Sequence, residues 1–189
     1  MRRIELPWRD RAIVIADVDD PAAWFSGPEL ELVSAFHLPK RREEWMLSRI
    51  AAKQLALERG ICDGPQKCRV EQRRIGSWFV SLSHSGRFAA AAIAERPTGI
   101  DVQVVRELKE TAAHLFLSSE EEAAMNRCVL PHRLLHFWCA KEAAWKQRGG
   151  EIPTLKQIPL LLLREDSAGL VFAGVETVAV DEIIVALTV

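Results

Sequence analysis

Pro97-Thr98-Gly99-Ile100-Asp101-Val102-Gln103-Val104 changes character at its third residue. Pro-Thr-Gly punctuates the chain and closes one run of structure. Beyond it Ile100, Val102 and Val104 alternate with Asp101 and Gln103, the period of a half-buried strand. The spacing predicts that Ile100 and Val102 point into the core while Asp101 and Gln103 share the opposite face. Gly99, with no side chain, leaves room for close approach by a ligand.

Outward from this stretch the two halves of the chain resemble each other in plan. Upstream, residues 12–16 form a short apolar run suited to a strand. A helix is predicted from Pro39 to Gly60, with Trp45, Met46, Ile50 and Leu57 at helical spacing. Residues 78–82 and 88–94 read as strands joined by the polar turn Ser83-His84-Ser85-Gly86-Arg87. Downstream, Ser119 and Glu122 have capping-box spacing. A long helix is then predicted from Pro131, as its first residue, to Gly149-Gly150. The tail holds two or three strands within 158–163, 170–173 and 183–189. The expectation is an α+β fold in two similar lobes, residues 1–97 and 98–189, joined near 95–98.

Composition bounds the function. The 189 residues are 49% hydrophobic and 27% charged, enough for an ordinary core. A formal net charge of −1 excludes a globally basic nucleic-acid binder. No apolar run is long enough to span a bilayer, and no h-region follows the basic N-terminus. Cys62, Cys68, Cys128 and Cys139 contain no Cys-x-x-Cys pair and read as reduced thiols. A cytoplasmic protein without membrane or nucleic-acid partners is expected.

Several residues could carry chemistry. Trp138, Glu142 and Lys146 form one stripe on the second long helix. By spacing alone Glu142 and Lys146 read as a surface ion pair and Asp101 as a water-facing strand residue. Arg42, Arg49 and Lys53 lie near one face of the first helix, with Lys40 and Arg41 at its N-terminal end. They suit either a solvated face or separate phosphates of one ligand. Ser83-His84 lacks the Gly-x-Ser-x-Gly elbow of a hydrolase and suits oxyanion binding better. His132 and His136 have zinc-like i, i+4 spacing, but no Glu follows His132, and a packed helix accounts for them.

The order and wording of these segments resemble the 4′-phosphopantetheinyl transferases of the larger, single-chain Sfp-like type. The basic Arg-Glu-Glu-Trp helix comes first, then Ser-Leu-Ser-His-Ser, Gly-Ile-Asp-Val, Phe-Leu-Ser-Ser-Glu and Trp-x-x-Lys-Glu-x-x-x-Lys. The resemblance implies two α+β lobes related by a pseudo-twofold axis, with the active site at their interface. It implies transfer of 4′-phosphopantetheine from coenzyme A to a serine of an acyl or peptidyl carrier protein, by a monomer. Carrier proteins of fatty acid, polyketide or nonribosomal peptide synthesis are the substrates it points to. It assigns Asp101 and Glu142 to Mg²⁺, Glu142 also to base catalysis, and Lys146 to the phosphates and the leaving 3′,5′-ADP. Ser83 and His84 fall to the coenzyme's 3′-phosphate, and Arg42, Arg49 and Lys53 to its other phosphates. Where many relatives carry a second acid, this chain has Gln103, a neutral and poorer Mg²⁺ ligand. The family's Gly-Lys-Pro segment is scrambled here to Gly64-Pro65-Gln66-Lys67. A non-catalytic coenzyme A or carrier-protein binding module is the competing expectation.

Overall fold

In a computed structural model describing residues 1–189, the chain is α+β and divides into two units, Met1–Pro97 and Thr98–Val189. Each unit sets one long helix on a five-stranded antiparallel sheet. No helix is long and apolar enough to cross a membrane.

The first unit contains β1 (Arg2–Ile4), β2 (Ala12–Ala16), α1 (Gly27–Ser34), α2 (Pro39–Glu58), β3 (Arg74–Ile75), β4 (Trp78–Ser85) and β5 (Phe88–Ala94). Its strand order is β1-β2-β5-β4-β3. The central strands β2 and β5 are apolar along nearly their whole length, as burial on both faces requires. Ile50, Ala51, Leu55 and Ala56 of α2 pack on Ile13, Ile15, Ala89, Ala91 and Ile93. Small alanines in β5 let the helix lie close to the sheet.

The turn expected at 83–87 is shorter than its composition suggested. β4 runs on through Ser85, pairing Ser83 with Ala90, His84 with Ala89 and Ser85 with Phe88. Only Gly86-Arg87 turns, with Gly86 at φ 56°. Ser81 and Ser83 are buried strand positions, so the hydroxyls there mark a strand period rather than a loop.

The second unit contains β6 (Ile100–Val104), α3 (Ser119–Arg127), α4 (Arg133–Gln147), β7 (Leu162–Asp166), β8 (Gly169–Phe172), β9 (Val175–Val180) and β10 (Ile183–Thr188), with strand order β6-β10-β9-β8-β7. Leu134, Phe137, Ala140 and Ala143 of α4 pack with Leu170, Phe172, Ile184 and Ala186. The tail thus holds four strands rather than two or three. The run at 158–163 enters strand only at Leu162, and Val175–Val180 was missed. The hairpin joining β9 to β10 turns on Asp181-Glu182, with Asp181 at φ 52° and no glycine to signal it. α4 begins after His132, which caps it at φ 56°, so Pro131 lies before the helix rather than at its first residue.

The capping box of α3 is Ser118 with Glu121, one residue earlier than Ser119 and Glu122. Glu121 is drawn there because its carboxylate does more than cap. It accepts from Ser118 N at 2.8 Å, from Leu160 N at 2.7 Å and from Lys141 Nζ at 2.8 Å. Lys141, fully buried on α4, also donates to the Ile158 carbonyl.

The first unit builds the same device. Ser26 and Glu29 form the capping box of α1, and Glu29 receives Lys53 Nζ of α2 at 2.9 Å. Burial pushes the Glu29 carboxyl up, but the bonds from Lys53 and Ser26 outweigh it and hold it below its ordinary value. In each unit a buried lysine thus ties the long helix to a capped short helix. Removing one partner of a buried pair strands the other charge, so Lys141→Met is expected to cost about 3 kcal/mol. Adding Glu121→Gln should recover part of that loss. A double variant no more stable than Lys141→Met in urea melts would count against this reading.

His136 is a core residue of α4 rather than a zinc ligand, while His132 sits at the cap beside Glu107. Thr177 Oγ1 donates to the Leu170 carbonyl and accepts from Leu170 N. Its one proton is therefore spent, and His136 Nδ1–H must donate to it across 2.8 Å. Nε2 is buried without a hydrogen-bond partner. Burial, then His132, pushes the imidazole down to about 4. A histidine held neutral contributes stability above its unfolded value near 6.5, and loses it as pH falls toward 4. The expected loss is about 3 kcal/mol over that interval. In His136→Phe the urea midpoint should change far less between pH 6.5 and 4, and an unchanged slope would refute the assignment.

Candidate active site

The second unit brings Asp101, Gln103, Glu142 and Lys146 together. β6 pairs with β10 so that Asp101 stands opposite Ala186 and Gln103 opposite Ile184. Ala186 and Ile184 belong to the cluster under α4. The polar face of β6 is therefore the face covered by α4, and not a water-facing one. Asp101 is 2% exposed, while Ile100 and Val102 are buried on the other face.

Gly99 explains how α4 comes so close. A Cβ there would lie 1.8 Å from the Ala143 carbonyl oxygen and 2.8 Å from Gln147 N. The close approach that the glycine permits is that of the helix backbone, not of a ligand. Gly99 N also donates to Thr188 Oγ1 at 2.9 Å, which fixes the start of β6 to the end of β10.

The expected stripe on α4 forms. Trp138, Glu142 and Lys146 are all partly exposed, and Trp138 packs edge-on to Phe116 at 5.0 Å. Lys146 Nζ donates to Asp101 Oδ1 at 2.7 Å and to the Ile100 carbonyl at 3.1 Å. Gln103 Nε2 donates to Asp101 Oδ2 at 3.1 Å, so it is the amide nitrogen that faces the carboxylate. Burial raises the Glu142 carboxyl above its ordinary value; the Asp101 charge raises it further, and Lys146 offsets part. Two carboxylates within electrostatic reach of each other, each favouring a nearby cation, are a donor set for a divalent ion.

No group of three or more His, Cys, Asp or Glu side chains forms a cage. Two carboxylates suit Mg²⁺, which binds few carboxylates and completes its shell from water and substrate phosphates. Two neighbours on α4 were not singled out in the sequence. Lys141 anchors the helix beside Glu142, and the Cys139 thiol is buried near Asp101 and raised, by burial first. The only signal for Lys141 was its place in the Trp-x-x-Lys-Glu wording.

The first unit places the remaining candidates differently from one another. Arg42 is exposed and donates to the Phe36 carbonyl at 3.2 Å. Arg49 lies 3.9 Å over the Trp45 ring, and burial lowers its guanidinium to about 10, with Glu29 offsetting part. His84 reaches Glu44 at 3.7 Å from the end of β4, and Ser83 beside it is buried. Lys53 lies one helical turn beyond Arg49 but, unlike Arg42 and Arg49, does not reach the surface. It is fully buried, and its three donors meet Trp24 O, Glu29 Oε2 and Pro65 O, each at 2.9 Å. An ammonium so used has no hydrogen left for a phosphate. Lys53 is a core cation, and the expectation that it binds coenzyme is withdrawn on that ground.

Residues 97–179 match the family model described as the 4′-phosphopantetheinyl transferase superfamily. The 4′-phosphopantetheinyl transferase psf-1 of Bacillus pumilus is 30% identical over 80 residues, 41% of this chain and 34% of that protein. The chain thus matches about a third of that relative's length. A crystal structure of Thermotoga maritima holo-[acyl-carrier-protein] synthase aligns over 48% of this chain and 60% of that one, at 22% identity and a TM-score of 0.38.

Proposed function

From the match of residues 97–179 to the 4′-phosphopantetheinyl transferase superfamily model, we propose that the chain moves the 4′-phosphopantetheine arm of coenzyme A onto a serine of an acyl or peptidyl carrier protein, releasing 3′,5′-ADP. The observation that carries this reading is the meeting of Asp101, Glu142 and Lys146 at one place between β6 and α4.

Asp101 and Glu142 would hold Mg²⁺, whose chemistry is to neutralise charge that builds on the coenzyme diphosphate. Glu142 is the base for the attacking serine hydroxyl. Its carboxyl is raised, by burial first and then by Asp101, which makes it a better proton acceptor than an ordinary glutamate. Lys146 leaves Asp101 for the leaving phosphate and neutralises it there. Arg42, Arg49, Ser83 and His84 are assigned to the coenzyme's phosphates, each as a separate donor. No covalent enzyme intermediate is required.

Gln103 contributes an amide nitrogen to Asp101, which supports reading it as a weaker partner for a cation than a carboxylate at that position. Gln103→Glu should therefore lower the Mg²⁺ concentration for half-maximal rate by about tenfold, because a third carboxylate replaces a donor. An unchanged Mg²⁺ dependence would rule that out.

The test of the function is to incubate the protein with coenzyme A, Mg²⁺ and an apo carrier protein, then measure the carrier's mass. A phosphopantetheine increment that disappears in Asp101→Ala supports the proposal. Coenzyme binding with no increment would favour a non-catalytic binding module.

A further inference from the structure

A second chemically distinctive place lies in the first unit, at the end of β4 away from Ser83 and His84. A cavity of about 800 Å³ is lined there by Cys62, Lys67, Arg69, Glu71, Arg74 and Trp78, among others. From Trp78 to Ser83 the strand advances about 17 Å, so this cavity is separate from the residues assigned to coenzyme.

Cys62 follows the end of α2, where Ile61 N bonds back to the Ala56 carbonyl and Gly60 takes φ 66°. The chain then turns twice, through Lys67 N to Gly64 O at 3.2 Å and Cys68 N to Pro65 O at 3.3 Å. These turns bring Cys68 back to Cys62. Cys68 belongs to the apolar cluster against which Cys62 packs, and the two thiols neighbour each other. Cys62 is partly exposed and faces the cavity, whereas Cys68 is fully buried.

We propose that Cys62 and Cys68 are an exchange site for low-molecular-weight anionic disulfides, which enter the basic cavity and leave the pair oxidised. The Cys62 thiolate attacks one sulfur of the disulfide RSSR, forming Cys62–S–SR and expelling RS⁻. Cys68 then attacks the Cys62 sulfur, closing Cys62–S–S–Cys68 and expelling the second RS⁻. The balance is two protein thiols and RSSR going to one protein disulfide and two RSH.

The division of labour follows from burial. The Cys68 thiol is pushed up to about 12, by burial first and then by its contact with Cys62. It resists ionisation and is the resolving thiol, leaving the partly exposed Cys62 to attack. Three cations line the cavity against one carboxylate. Lys67 is paired with Asp63, Arg69 reaches Glu71 only at 4.0 Å, and Arg74 lies over the Phe79 ring and donates to Ser77 O. Such lining draws in an anionic disulfide and does nothing for a neutral one. The loop that the bond would close includes Pro65, whose carbonyl holds Lys53.

The probe is glutathione disulfide on the reduced full chain, followed by acid quench, intact mass and peptide mapping. Wild type is expected to lose two hydrogens and carry one Cys62–Cys68 bond, with Cys128 and Cys139 still free. Cys68→Ala should instead accumulate one glutathione on Cys62, and Cys62→Ala should take up none. Arg69→Gln with Arg74→Gln should slow the reaction by about threefold, yet leave exchange with the neutral hydroxyethyl disulfide unchanged. Circular dichroism confirms that each variant is folded before it is scored. A wild-type adduct that persists on Cys62 without ring closure, or equal slowing with both disulfides, would overturn the proposal.

Discussion

Gly99→Ala is expected to unfold the second unit at temperatures the wild type tolerates, although it adds a single methyl group. The methyl would sit 1.8 Å from the Ala143 carbonyl oxygen, where real contacts are never found. The atom it meets is helix backbone and not the end of a flexible side chain. Relief therefore requires all of α4 to move away from β6. That motion would break the Lys146–Asp101 bond and open the packing of Ala143 and Ala144. Ordinary overpacking costs about 1–3 kcal/mol because side chains can give. Here the cost should reach at least about 4 kcal/mol, a large share of a unit this size's stability. The measurement is thermal unfolding, with a drop of about 20 °C expected. A melting temperature within a few degrees of wild type would show that β6 and α4 are not held this close.

The strand at Ile100 and the helix before Gly149 were legible because hydrophobic period is a local signal. The direction faced by Asp101 was not. Period two says that Asp101 and Gln103 share a face, but only the pairing with Ala186 and Ile184 says that α4 covers it. Lys53 failed for a related reason. Helical spacing put it near Arg49, yet the capped Glu29 and two carbonyls that claim its ammonium lie far away in sequence. Ser83-His84-Ser85 reads as part of a turn because its residues favour turns, while pairing with an alanine strand keeps it extended. What stayed hidden was long-range partnership, which composition and period do not encode. The meeting of Asp101 with Glu142 was expected only from the resemblance of motif order, since neither segment's spacing contains it.

Glu142→Gln should separate what this residue does for catalysis from what it costs the fold. The amide keeps the shape but can neither accept the serine proton nor offer a charge to Mg²⁺. Loss of a base contributes roughly 10²–10⁴ in rate, and a weakened metal site adds to it, so a fall of at least about 10³ is expected. Stability should move the other way. Burial, with Asp101, raises the Glu142 carboxyl above its unfolded value near 4.5, Lys146 offsetting part. A raised acid contributes stability in its protonated form, fully present below the unfolded value. That contribution is lost as pH rises through the folded one. As pH rises the wild type therefore bears the cost of a charged, partly buried carboxyl beside Asp101, and the variant does not. In metal-free buffer Glu142→Gln should be the more stable at pH 7, with the difference shrinking as pH falls toward the unfolded value. Mg²⁺ and coenzyme A together should reverse the order, because ligands stabilise only the protein that binds them. Differential scanning calorimetry across these conditions decides the matter. If the variant is no more stable than wild type at pH 7, the two carboxylates are not coupled. If it keeps most of the transfer rate, Glu142 is not the base.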